Sequence, residues 1–290
     1  IGILYLDSKP SAHKYLRIIL QHNLIKVFAP DGGIDTTIPK FGLVKIADIG
    51  TAGGLWLEEL ATALEKVPTK DGTTREFDGF DISDNFFPKT PPASFRFIKQ
   101  NILTPFPKEF HGRYDFIHLR LLLAALKKEQ IPTAVQNVIQ LLAPGGYIQW
   151  DEWDATANSF VPENEAIQSA WHDNMAFLDR SGFAVDIPVY IKRAFQDQGL
   201  NNVMSAQYKS MKDAETAARS RPLIKLWTRS AWNVMMPFIH ARTDDGKERS
   251  SEEAKRIVDE KLRELENYLE GGGQQSIGMI ATIGQKGITN

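Results

Sequence analysis

Hydrophobic positions recur at helical spacing over residues 13–28, where Leu16, Ile19, Leu20 and Leu24 fall on one face. Pro30, Asp31, Gly32 and Gly33 are turn formers that end this helix. Short apolar runs then predict strands over 43–49, 77–81, 95–100, 114–118 and 147–153. Helical spacing between them predicts helices over 55–66, with Trp56, Leu57, Leu60 and Leu64 on one face, and over 131–142. Strands alternating with helices imply a parallel sheet with right-handed crossovers.

The pattern changes after residue 160. Helices are predicted over 163–179 and 187–198, with Gly182 and Gly199 as C-caps. Strands are predicted over 203–209 and 276–284. Between them come a helical stretch over 214–241, with breaks at Pro222 and Pro237, and a charged amphipathic helix over 251–269. Gly271, Gly272 and Gly273 read as a hinge. The expected fold class is α/β. A sheet core (43–155, 200–210 and 275–286) carries a helical N-terminal segment and a helical cap (1–30, 160–198 and 212–270), all in one domain of 290 residues.

Composition narrows the function classes. A net charge of -2 provides no basic field for nucleic acid. With no cysteine, disulfides, thiolate metal sites and a cysteine nucleophile are excluded. That fits a reducing compartment, and the expected location is the cytoplasm. The longest apolar run, 121–126, is far below the ~20 residues that span a bilayer, so no membrane partner is expected. The first residue is Ile1 rather than Met, which leaves open a trimmed N-terminal segment.

The most informative stretch is Asp48-Ile49-Gly50-Thr51-Ala52-Gly53-Gly54, after the first strand. A dinucleotide fingerprint, G-x-G-x-x-G, is poorly matched, because Ala52 and Leu55 fall at its second and third glycines. A P-loop needs a lysine after the glycines, and none follows. An acidic residue followed by small residues at alternate positions suits a ligand without phosphate. Asp48 can then hold an ammonium group.

Two further strand ends agree. Asp81 closes the second strand, where a carboxylate can accept both hydroxyls of a ribose. Asn101 follows the third, where an amide can bond an adenine amine and Ile102 can pack on its ring.

Together these segments resemble class I S-adenosylmethionine (SAM)-dependent methyltransferases, of the fungal small-molecule type that serves secondary metabolism. Phe80-Asp81-Ile82-Ser83, residues 114–120, and Pro144-Gly145-Gly146 before the fifth strand extend the likeness over the first half of the chain. The resemblance implies a Rossmann-like, seven-stranded, mostly parallel sheet and SAM as cofactor. It also implies a SAM site of Asp48, Gly50, Thr51, Gly54, Asp81, Ile82, Asn101, Ile102 and His118. Ala52 departs from the pattern by standing at a usual glycine, which puts cofactor function in question.

Ligands of open α/β sheets lie beyond the carboxyl ends of the strands. His118, Asp151 and Glu152 sit there and are the catalytic candidates, with His118 first as a base for a hydroxyl acceptor. Alternation sends Asp151 and Glu152 to opposite faces, so no metal site is expected. His22, Arg120, Trp171, His172, Trp232 and Met236 are the candidates for holding a small apolar or aromatic acceptor. The expected reaction is O-methylation. A cyclisation or rearrangement on the same scaffold, and a regulatory SAM-binding protein, stay open beside it.

Overall fold

The computed structural model describes residues 12–29, 33–242 and 247–288. The expected turn residues Pro30, Asp31 and Gly32 lie outside them. Seven strands form one sheet: β1 (Lys45–Ile49), β2 (Glu76–Asp81), β3 (Phe95–Lys99), β4 (Tyr114–Arg120), β5 (Leu142–Trp153), β7 (Asn201–Lys209) and β9 (Gly278–Gln285). Their order is β3-β2-β1-β4-β5-β9-β7. Within this sheet β9 alone runs against the direction of the other six strands. The order reverses at β1, so the crevice for a ligand opens between the ends of β1 and β4. Among the described residues, no helix is long and apolar enough to cross a membrane.

Both faces of the sheet are covered, and its central strands send apolar residues to both of them. On one face, α3 (Ile131–Ile139) and α5 (Ile187–Asp197) pack Val135, Val138, Ile191 and Phe195 onto Ile117, Leu119 and Ile148. On the other, α2 (Leu55–Leu64) packs Trp56, Leu57 and Leu60 onto Ile46 and Phe116. Helix α5 therefore belongs to the sheet core, not to the cap in which the sequence pattern put it. Its Ile187, Ile191, Ala194 and Phe195 form one apolar stripe that only the sheet can bury.

The cap consists of α1 (Ala12–Phe28), α4 (Glu165–Arg180), α6 (Ala214–His240) and α7 (Ser251–Glu270). Helix α6 runs unbroken through Pro222 and Pro237, against expectation. Both prolines are exposed, so a carbonyl that loses its helical N–H still meets water. Gly271 to Gly273 close α7 as a tight turn instead of a hinge. Gly273 N–H donates to Tyr268 O at 2.9 Å, and a Cβ on Gly273 would fall 2.4 Å from the Tyr268 ring. A short pair not expected from the pattern, β6 (Ser159–Val161) with β8 (Gln274–Ser276), ties the cap to the sheet.

Candidate active site

Three cavities meet at the carboxyl ends of β1, β4 and β5. The first is lined by Gly50, Asp81, Ile82, Asn101 and Ile102, among others. The second, lined by His22, Asp48, Thr51, Trp56 and Arg120, shares Gly50 and Leu122 with the first. The third lies under the cap, between Trp153, Trp171, Trp227 and Trp232, and shares Gln21 and Leu121 with the second. It has a volume of about 1030 Å³ when the open solvent at its mouth is included.

The glycine turn forms the floor of the first two cavities. Gly50 and Thr51 N–H both donate to Phe80 O, at 2.7 and 3.0 Å, which fastens the turn to β2. Gly50 (φ +80°) and Gly54 (φ +82°) are left-handed, a conformation glycine adopts without strain. A Cβ at Gly54 would fall 2.6 Å from the Phe97 ring, so Gly54 serves close packing at the start of α2. It does not line any of the three cavities. Ala52 is left-handed as well, with φ +49°.

Asp81 holds the other side of the turn. Its oxygens accept from Ala52 N at 2.9 Å and Ser83 N at 3.0 Å, while burial raises its pKa. Asn101 Oδ1 accepts from Leu103 N at 3.0 Å, and the exposed Ile82 overhangs the same cavity. In the second cavity, Thr51 Oγ1 and Trp56 Nε1 are buried without a partner. An unpaired Thr51 hydroxyl on a turn of small residues, with carboxylates at both ends, fits a ligand that has a ribose and an amino-acid head and no phosphate.

His118 occupies a different place from the one expected of a base. The parallel ladders put Asp48, His118 and Gln149 in one row across β1, β4 and β5, all facing α2. His118 is fully buried. Nδ1 lies 2.8 Å from Asp48 Oδ1, and Nε2 lies 3.2 Å from Asp151 Oδ2. The ring is stacked on Trp56 at 3.7 Å. Burial alone would lower its pKa, but the hydrogen bonds its ring donates to Asp151 and Asp48 outweigh it and the pKa is raised. Both nitrogens donate, and His118 is an internal cation between two carboxylates.

Asp151 is bound inward too, with Oδ1 accepting from Gln149 Nε2 at 2.9 Å. Gln149 continues the chain to Gly33 O and to Asp35 N–H, each at 2.9 Å, and Tyr208 donates to Asp35. Glu152 points to the opposite face. Its Oε1 accepts from Leu122 N and from Trp150 Nε1 at 3.1 Å, and its Oε2 has no partner. Burial pushes its pKa up to about 8.

The remaining expected residues divide. His22 and Arg120 line the second cavity and not the aromatic one. His22 donates from Nε2 to Glu59 at 2.7 Å and accepts from Arg120 at 3.0 Å. Burial and the charges of Arg120 and Lys26 lower its pKa to about 3, so the ring is neutral. Trp171 and Trp232 do line the aromatic cavity. His172 is exposed, and Met236 is packed inside the cap core with Phe160. One residue step turns a helix by about 100°, so Trp171 faces the cavity while His172 faces away, and Met235 takes the place expected of Met236.

Leu121 joins the site with no signal in the sequence. It has φ +59° and lines both the second and third cavities. Strained non-glycine backbone gathers at functional sites, and two of the three such residues among those described, Ala52 and Leu121, line this one cavity. Nothing in the sequence signals φ at a leucine.

The strand order, the glycine turn at the end of β1, the carboxylate at the end of β2 and an apolar acceptor cavity define a class I SAM-dependent methyltransferase. A family model described as a methyltransferase domain matches residues 14–205. The chain is 33% identical over 221 residues to methyltransferase grgD of a Penicillium species, covering 76% of this chain and 78% of that protein. It is 36% identical over 146 residues to N-methyltransferase sirN of Leptosphaeria maculans, covering 49% and 48%. With methyltransferase psoC of Aspergillus fumigatus it shares 31% over 160 residues, 55% of each. The chain thus spans about half the length of the latter two relatives. It belongs to the methyltransferase-domain family, among enzymes of fungal origin, and its cofactor is SAM.

Proposed function

We propose that the chain methylates a small, flat, largely apolar metabolite, and that the accepting atom is nitrogen. The observation that carries this reading is the aromatic cavity, which shares Leu121 and Gln21 as lining with the cavity at the glycine turn. When bound, SAM supplies a methyl group on a sulfonium that an acceptor lone pair can displace in line. The residues' part is to hold two molecules at the right distance and angle, which alone supplies much of the rate.

In this reading Asp81 faces the ribose, while Asn101, Ile82 and Ile102 face the adenine. Asp48 and Thr51 face the amino-acid head. His118 fixes Asp48 and touches neither reactant, so it acts as a positioning residue.

The choice of nitrogen rests on where the bases are. His118 has both ring nitrogens engaged, and Asp151 has both oxygens engaged. Glu152 is neutral near pH 7. A nitrogen lone pair attacks without prior proton removal, and several relatives, sirN among them, are named N-methyltransferases. A hydroxyl acceptor, the expectation from the sequence, is the second reading. Glu152 favours it, because a carboxyl titrating near 8 can take up a proton once ionised.

Calorimetric titration with SAM tests the cofactor half, and no heat at millimolar SAM sinks it. A panel of aromatic amines, amides and phenols, scored by mass gain of one methyl, tests the acceptor. With the best acceptor, Glu152→Gln retains activity under the nitrogen reading and abolishes it under the hydroxyl reading.

A further inference from the structure

Nine buried side-chain N or O atoms lack a hydrogen-bond partner among the described residues, and three of them belong to the wall of the aromatic cavity. They are Glu152 Oε2, Trp232 Nε1 and Asn158 Oδ1. Glu152 is 0% exposed and Trp232 is 1% exposed. Buried polar groups in native proteins are nearly always paired, so three orphans on one wall call for a partner that the chain does not supply.

Their chemistry specifies that partner. Glu152 Oε1 is already an acceptor for Leu122 N–H and Trp150 Nε1–H. With Oε1 taken by two donors, the protonated carboxyl presents its O–H at Oε2, which then donates. Trp232 Nε1–H can only donate. Arg17, Gln21 and Gln275 also reach this wall, and the rest of it is aromatic or aliphatic, with Trp153 and Trp227 5.8 Å apart and Phe160 edge-on to Trp232 behind it.

We infer that this cavity selects ring compounds carrying a hydrogen-bond-accepting, carbonyl-type oxygen, recognised by the Glu152 carboxyl and the Trp232 indole N–H. Asn158 Oδ1 is left for an N–H or O–H of the same ligand. The inference rests on the cavity's being the acceptor site and adds the polar group that the acceptor presents. A site built to donate hydrogen bonds rejects an analogue that lacks the acceptor, because its own buried donors then stay unpaired.

The test uses a matched pair of probes, 1-indanone and indane, which share a bicyclic frame and differ in one carbonyl. Each is titrated into the full chain with S-adenosylhomocysteine present, and the dissociation constant is read by ligand-observed NMR. The wild type is expected to prefer indanone at least fivefold, the worth of about 1 kcal/mol. Trp232→Phe removes a donor that no protein atom uses, and should cut the preference to twofold or less. Glu152→Gln keeps the acceptor for Leu122 and Trp150 and puts an amide donor at Oε2, so the preference should persist.

Equal affinity for the two probes in the wild type overturns the inference. So does a preference that survives in both Trp232→Phe and Glu152→Leu, and so does the failure of both probes to bind at millimolar concentration. Calorimetry of the cofactor on the same sample is independent of these results, so a fault in the methyltransferase reading shows separately.

Discussion

Asp48 and His118 are register partners across the β1–β4 ladder, and their side chains meet with Oδ1 2.8 Å from Nδ1. One carboxylate oxygen at the cofactor turn is thereby held by a buried cation instead of by solvent. The arrangement continues to Asp151, Gln149 and Asp35, so the turn is braced from within the sheet.

Removing that cation leaves two buried carboxylates facing each other. His118→Leu should cost about 3–5 kcal/mol of stability, as for other broken buried pairs. Urea denaturation measures it. A loss below about 1 kcal/mol would show that His118 is not a structural cation.

Ala52 carries backbone strain, because φ +49° is costly for any residue with a Cβ. Ala52→Gly should raise stability by about 0.5–1 kcal/mol, less than the full strain because glycine is freer when unfolded. Its N–H holds Asp81, and that bond does not depend on the side chain. Calorimetric affinity for SAM should therefore not fall in Ala52→Gly. A fall would mean that the methyl group of Ala52 contributes to binding.

His22 should make the protein acid-sensitive. Its pKa is lowered from 6.5 to about 3 on folding, so the unfolded chain binds the extra proton between those values. The stability this group contributes is fully present above pH 6.5 and is lost as pH falls toward 3, at up to about 1.4 kcal/mol per pH unit. The difference in unfolding free energy between wild type and His22→Gln should shift against the wild type over that window. A flat difference refutes the lowered pKa.

Glu152 acts in the opposite direction. Its pKa is raised from 4.5 to about 8 on folding, so the folded chain holds the proton more tightly. Its contribution is fully present below pH 4.5 and is lost as pH rises through about 8. Compared with Glu152→Gln, the wild type should weaken steadily from pH 5 to 8, and a stability difference independent of pH would show that the carboxyl is already ionised.

Much of this protein was readable from local chemistry. The period-two and 3.6-residue patterns set the strands and helices of the sheet. The small residues at 50, 52 and 54 marked a turn that needs left-handed backbone, and φ there is positive at all three. Alternation along β5 separated Asp151 from Glu152, and they do face opposite sides. Those signals survive because they depend on neighbours in the chain.

What only the tertiary structure decided depends on residues far apart in sequence. His118 is an internal cation because a register places it between Asp48, 70 residues earlier, and Asp151, 33 residues later. Trp171 faces the cavity and His172 does not, because the packing of α4 on α6 sets the rotation of the helix. Glu152 is neutral because burial removes the water that would solvate its charge. A sequence specifies which groups are present; their charge state and direction follow from which other groups the fold brings against them.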